Sequence, residues 1–440
     1  MRMEAPEFIQ PTLQIPVGLS GTRRSTSEMI KSLRQAAPRW KRLGAAALIC
    51  VAISSCSSVE RDPVAMLEDS LIAISVAADE RGLVLAEGTG KVLFLNSKVS
   101  EWQSFETLGI GEAPIVFRDN FLYFVDRKND YRLGNTLDQW ERLESEIGAS
   151  AIIPVGGQGS FLSIFNSGFA DNGDGYVFRV LSHTENESNE TVYDQFLTGF
   201  ADCGDSSFAI YDPSISSTEI DNNYFNSPKS LIQLWPENNS SPVISYVPER
   251  FLETGGDPNL PCADGVAYQI LDSYPDDSTM ADTENLQNVS GSVLLAWNTS
   301  QKSVKVTELH GALEVDRVKE GQPDPFFVGN RLIGRELWWI AGNGVVLTTN
   351  VDTGLTATRF ALENFDVGID PGIFKFSDNF LMRLNLSNSL SSTIEVYSLS
   401  DAAFTGDVEL PQLGTQLGDR QFIYDFAVTD EEAVVAKARG

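Results

Sequence analysis

Phe117-Arg118-Asp119-Asn120-Phe121-Leu122 returns late in the chain as Phe376-Ser377-Asp378-Asn379-Phe380-Leu381. Each copy is an apolar run, an Asp-Asn pair and a second apolar run. Asn and Asp tolerate the left-handed backbone that a tight hairpin demands, so each copy predicts a strand, a turn and a strand. Looser copies of the same unit start at Ala78, Val155, Cys203, Cys262, Arg331 and Val428.

Every copy except the last is followed by two further runs of strand composition. Residues 91–95 and 101–105 follow the first, and residues 345–349 and 357–360 follow the copy at Arg331. Helical periodicity is nearly absent beyond residue 68; only residues 137–147 carry a weak helical pattern. Four short strands every ~40–70 residues, split by Gly, Asn, Asp and Ser turns, are the mark of a radial repeat. Residues 69–440 therefore resemble an all-β, β-propeller-like domain of about seven four-stranded blades, with eight as the alternative count. The copy at Val428 has no outer strands after it and is expected to close the ring by pairing with N-terminal strands. The resemblance is architectural: there is no WD dipeptide pattern, no regular kelch double glycine and no quinoprotein tryptophan motif. A pair of β-sandwich domains is the competing fold.

Arg39, Lys41 and Arg42 precede the apolar run 43–53, which ends in Ile53-Ser54-Ser55-Cys56. A basic flank, a short apolar stretch and small residues before a cleavage point describe a secretory signal. The run is well short of the ~20 residues that span a bilayer. The cysteine after two serines resembles the signal of a bacterial lipoprotein. That resemblance implies removal of residues 1–55, acylation of Cys56 and a lipidated tether over 56–68. Met29 is an alternative start that gives the signal ordinary proportions. Ser57 and Ser58, in place of an aspartate, imply the outer membrane, on its periplasmic or surface side.

The full chain has 32 Lys and Arg against 61 Asp and Glu. Residues 1–55 hold eight basic and three acidic residues, so the remainder carries 32 − 8 = 24 against 61 − 3 = 58, a net charge of −34. Such a surface repels phosphate backbones and excludes nucleic acid as a partner. The 42% hydrophobic composition supplies a large core and argues against disorder. Of four cysteines, Cys50 goes with the signal and Cys56 is acylated, which leaves Cys203 and Cys262. Both fall at the same turn of consecutive repeats, where neighbouring blades lie side by side. A disulfide is expected if their Cα atoms come within ~7 Å.

Long insertions lie between the second and third strands of three consecutive repeats, over residues 167–175, 213–230 and 273–291. Loops at the same place in each blade emerge on one face. They carry Phe169, Tyr224, Phe225, Tyr274 and Met280 among acids and asparagines, a composition suited to protein binding. Asp171 and Asp174 lie in a fragment of a calcium loop that lacks the acids required at Ala170 and Leu181. Asp276 and Asp277, with Asp282 and Glu284, form a second candidate for a hard cation. No cofactor is expected, with calcium at these acids as the alternative.

Catalytic motifs are missing. Gly88-Thr89-Gly90-Lys91 lacks both the earlier glycine and the Ser/Thr of a phosphate loop, and no G-x-S-x-G occurs. His183 and His310, the only histidines, are expected as lone surface residues. Trp338-Trp339 should place one ring on each face of a strand, as core. The sequence thus reads as an outer-membrane-anchored lipoprotein acting as a non-catalytic scaffold for envelope proteins. The alternatives are a carbohydrate-active hydrolase or lyase, and a small-ligand or cation-binding sensor.

Overall fold

In Phe121-Leu122-Tyr123-Phe124-Val125 nearly every side chain is buried, which demands a strand covered on both faces. The covering comes from blade-to-blade stacking. The computed structural model describes residues 62–440 except 79–89, 99, 144–147, 158, 170–175, 186, 195, 212–228, 237–238, 247–250, 253–258, 274–290, 313–329, 364, 366–371, 387–391 and 419–420.

The strands pair into seven sheets of four principal strands, the blades of a propeller. The first blade is ordered Gln421–Val428, Ser70–Ala78, Gly90–Asn96, Trp102–Thr107 from the inside out. Its inner strand thus comes from the far end of the chain, pairing Ile72 with Val428 and Ile74 with Phe426. This is the ring closure expected from sequence. The second blade runs Ile115–Arg118, Phe121–Val125, Asn129–Leu133, Leu137–Glu141, and the third Gly148–Val155, Ser160–Phe169, Tyr176–His183, Ser188–Tyr193. The fourth is Leu197–Asp202, Ser207–Tyr211, Lys229–Trp235, Asn239–Tyr246. In the fifth, Cys262–Ala263 leads into Val266–Ser273, Gly291–Asn298 and Ser303–Glu308. The sixth is Asn330–Ile333, Glu336–Ile340, Val345–Asn350, Leu355–Ala361, and the seventh Ile373–Phe376, Phe380–Asn385, Thr393–Ser398, Ala403–Glu409.

Strand alternation sends successive side chains to opposite interfaces. Leu122 and Phe124 join the core between the first and second blades, while Tyr123 and Val125 join that between the second and third. Trp338 packs toward the seventh blade and Trp339 toward the fifth, one ring per face as expected. Seven such apolar clusters link each blade to the next, the last uniting Met382 and Val396 with Ile74 and Phe426 across the closure.

Three local readings are corrected. Residues 137–141 form the outer strand of the second blade, where Leu137 pairs Leu133 and Gln139 pairs Tyr131; ladder bonding overrides the weak helical pattern. The final copy is a strand followed by the helix Glu431–Ala438, because the Asp430 carboxylate accepts from Ala433 N at 2.9 Å and caps it. The first copy is no inner hairpin: Ala78 ends the second strand of its blade. The two best-matched turns also differ. Asp119 and Asn120 take φ of 52° and 66°. Asp378 and Asn379 stay outside the left-handed region, since the Ser377 hydroxyl accepts from Asn379 N and Phe380 N.

First-to-second-strand turns leave on one face, the turn face; second-to-third-strand connections leave on the opposite, loop face. The helices Pro63–Glu68 and Glu431–Ala438 abut blade strands on the turn face. The first occupies the end of the segment read as a tether and buries Met66 and Leu67 in the core.

Candidate functional site

A cavity of about 220 Å³ lies where the inner strands of the seventh, first and second blades meet. Phe117, Phe376, Met382 and Phe426 supply apolar walls; Lys375 and Glu431 supply its charges. Its lining gathers at the ends of the inner strands, so it belongs to the turn face. One carboxylate organises it. Lys375 Nζ donates to Asp425 Oδ2 at 2.9 Å, Ile115 N to the same oxygen at 3.1 Å and Phe426 N to Oδ1 at 2.8 Å. Asp425 thereby ties together three blades and satisfies a backbone N–H on an open sheet edge.

Ion pairs continue along the turn face. Arg118 reaches past the third blade to Asp202 of the fourth and donates to Pro154 O at 3.4 Å on the way. Arg331 donates to Asp378 at 2.7 Å, joining the sixth and seventh blades. Arg335 holds Asp352 in a two-pronged contact, and its hydrogen bonds keep that carboxyl below the usual carboxylate range. Cys203 and Cys262 are bonded, with Cα atoms 5.0 Å apart, and lock the fourth blade to the fifth.

His183 is a correction to the sequence reading. It is only 1% exposed, packed against Phe161 and Trp140 with ring centroids 4.7 and 5.0 Å away. Its Nε2 lies 2.9 Å from Asp130 Oδ2, and Arg142 Nη1 donates to Asp130 Oδ1 at 2.5 Å. Ser163 Oγ lies 3.4 Å from the same Nε2. Serine, histidine and aspartate therefore converge, yet not as a nucleophilic triad. A triad acid grips one ring nitrogen and leaves the other for the serine. Here both crowd Nε2, Nδ1 is unpartnered, and the side chains are sealed between two blades. The cluster is a buried Asp130–Arg142 charge pair that also engages His183. His310, by contrast, is exposed.

On the loop face, the strands Ser160–Phe169, Ser207–Tyr211 and Val266–Ser273 end where the three long connections begin. Ala78 ends the equivalent strand of the first blade on the same face. The Phe169 backbone pairs with Tyr176. The Phe169 side chain lies outside the described residues, as do Cys56, Tyr224, Phe225, Tyr274 and Met280, and the candidate cation ligands Asp171, Asp174, Asp276 and Asp277. Among the described residues no cluster of three His, Cys, Asp or Glu could hold a metal. Leu108, Leu143 and Phe422 stand 46%, 98% and 47% exposed at strand ends on the loop face. Sequence reasoning missed them, because only the blade topology assigns these strand ends to one face.

No family model and no curated protein matches the chain. Among solved structures, cobalt-substituted Synechocystis ACO aligns over 82% of this chain and 92% of its own at 12% identity and a TM-score of 0.45. Apo AztD from Citrobacter koseri aligns over 80% and 88% at 10% identity and 0.38. Pyrococcus horikoshii acylaminoacyl peptidase aligns over 82% and 55% at 11% identity and 0.45. Likeness at this level carries no argument about activity, and the blade count rests on the strand pairing itself.

Proposed function

We propose that the protein is a lipid-anchored, non-catalytic scaffold that binds envelope proteins through its loop face. The observation that carries this reading is the separation of the two faces. The long connections start on one face and the cavity opens on the other. An enzyme of the carbohydrate-active kind would gather acids and mobile loops around one pocket. Here Asp425 is taken up by Lys375 and two backbone N–H groups. Exposed Leu108, Leu143 and Phe422 supply apolar anchors on the loop face, and the connections that begin there carry Phe169, Tyr224, Phe225, Tyr274 and Met280 in sequence.

The anchor in this reading is an acyl group on Cys56, as the lipoprotein-like signal implies. Seven residue steps separate Cys56 from Pro63, at most about 25 Å of extended chain. Labelled palmitate should enter the wild-type protein and not Cys56→Ala. A photo-crosslinking residue at Leu143 or Phe422 should capture an envelope protein in cells, and one at Asn120 on the turn face should not. Equal capture from both faces, or none from the loop face, would overturn the reading.

A further inference from the structure

The turn-face cavity has a chemistry of its own, independent of the scaffold reading. Its two charged side chains are unequal. Lys375 Nζ sits 2.8 and 2.9 Å from the two oxygens of Asp425, so its charge is neutralised and cannot draw an anion. Asp425 in turn also takes Ile115 N and Phe426 N and has no unmet demand. Glu431 differs. It is half-buried at the start of the C-terminal helix, and its carboxylate has no hydrogen-bond or ion-pair partner among the described residues. The wall before it carries the half-buried rings of Phe117 and Phe376, with Phe426 sealed in the core behind.

We propose that this cavity is a binding site for a small aromatic ammonium ion, with its ring against Phe117 and Phe376 and its charge on Glu431. An unpaired carboxylate beside aromatic faces selects a cation with an apolar body, through charge-assisted hydrogen bonding and cation–π attraction. The size agrees. A dry cavity of about 150 Å³ accepts benzene, so 220 Å³ holds one ring and a short aminoalkyl tail. The formal charge of −29 raises the local concentration of cations further.

The test is calorimetric titration of the full-length protein with phenethylammonium, 2-phenylethanol and 3-phenylpropionate, which share a ring and differ in charge. Phenethylammonium should bind at least about ten-fold more tightly than the alcohol, the scale of one charged hydrogen bond, and the carboxylate more weakly than either. Glu431→Gln should remove that ten-fold preference and leave the alcohol unaffected. Phe117→Ala, which removes one aromatic wall on the second blade, should weaken the binding of all three. Circular dichroism of each variant establishes that it is folded. Tighter binding of the carboxylate, no binding of the ammonium, or an undiminished preference in Glu431→Gln would each overturn the proposal.

Discussion

Asp425 of the first blade holds Lys375 of the seventh across the point where the ring closes, with Nζ 2.8 Å from Oδ1. The same carboxylate accepts from Ile115 N of the second blade. Removing the acid leaves both a lysine and a sheet-edge N–H unpaired, whereas removing the lysine leaves the carboxylate its two backbone donors. Asp425→Ala should therefore cost about 2 kcal/mol. Lys375→Met should cost about 0.5–1 kcal/mol, because the ammonium is partly exposed. Urea denaturation midpoints of the two variants check the order.

Asp130 lies deeper and its loss should cost more. It is fully buried and receives both Arg142 and His183. Breaking a buried pair from one side strands a charge, at about 3–5 kcal/mol. Asp130→Ala should approach that figure, and Ser163→Ala should lose only about 1 kcal/mol, the worth of a neutral hydrogen bond. A fluorophosphonate probe for activated serines should leave Ser163 unlabelled. Labelling there would contradict the sealed geometry.

The blades were legible because their determinants are local. Apolar alternation and turn residues such as Asp119-Asn120 act within a few positions. What escaped was non-local or mixed. Ring closure was legible from the unaccompanied last copy, but not that the single strand Gln421–Val428, without a second strand after it, supplies the inner edge of the first blade. Asp430-Glu431-Glu432 does carry the marks of a helix start, an N-cap residue with acids in the first turn. A strand-turn-strand template overrode them. His183 sits between polar Ser182 and Thr184, which suggests a surface, but its partner Asp130 lies 53 positions away. The cavity joins residues from three blades, and Lys375 and Asp425 are 50 positions apart.

Tyrosine ionisation should expose the blade interfaces to alkali. Burial pushes the Tyr123 phenol from 10.0 up to about 12, with Arg132 opposing. Burial and then the Asp126 charge push Tyr131 beyond that range, and burial with Glu395 does the same for Tyr397. A folded-state value above the unfolded one means the folded protein retains the proton longer. The stabilisation is whole below pH 10 and is lost as pH climbs through about 12. Stability should fall over that window, and Tyr123→Phe should fall less steeply. Absorbance at about 295 nm should show these phenols ionising only with unfolding.

The disulfide should be the strongest single constraint on the ring. Cys203 and Cys262 are separated by 59 positions, a span that contains most of the fourth blade. Closing a loop of that length in the unfolded chain removes entropy equivalent to about 4 kcal/mol in the chain-entropy description. The bond joins equivalent ends of two inner strands, so its loss should leave the remaining blades paired while the fourth and fifth loosen first. Cys203→Ser and Cys262→Ser should each lower the denaturation midpoint to the value the wild type shows in reductant. Hydrogen exchange should then rise earliest in Leu197–Asp202 and Cys262–Ala263. Peptide mapping without reductant should recover the two cysteines on one linked fragment; free thiols at both positions, or exchange rising first at the ring closure, would refute this account.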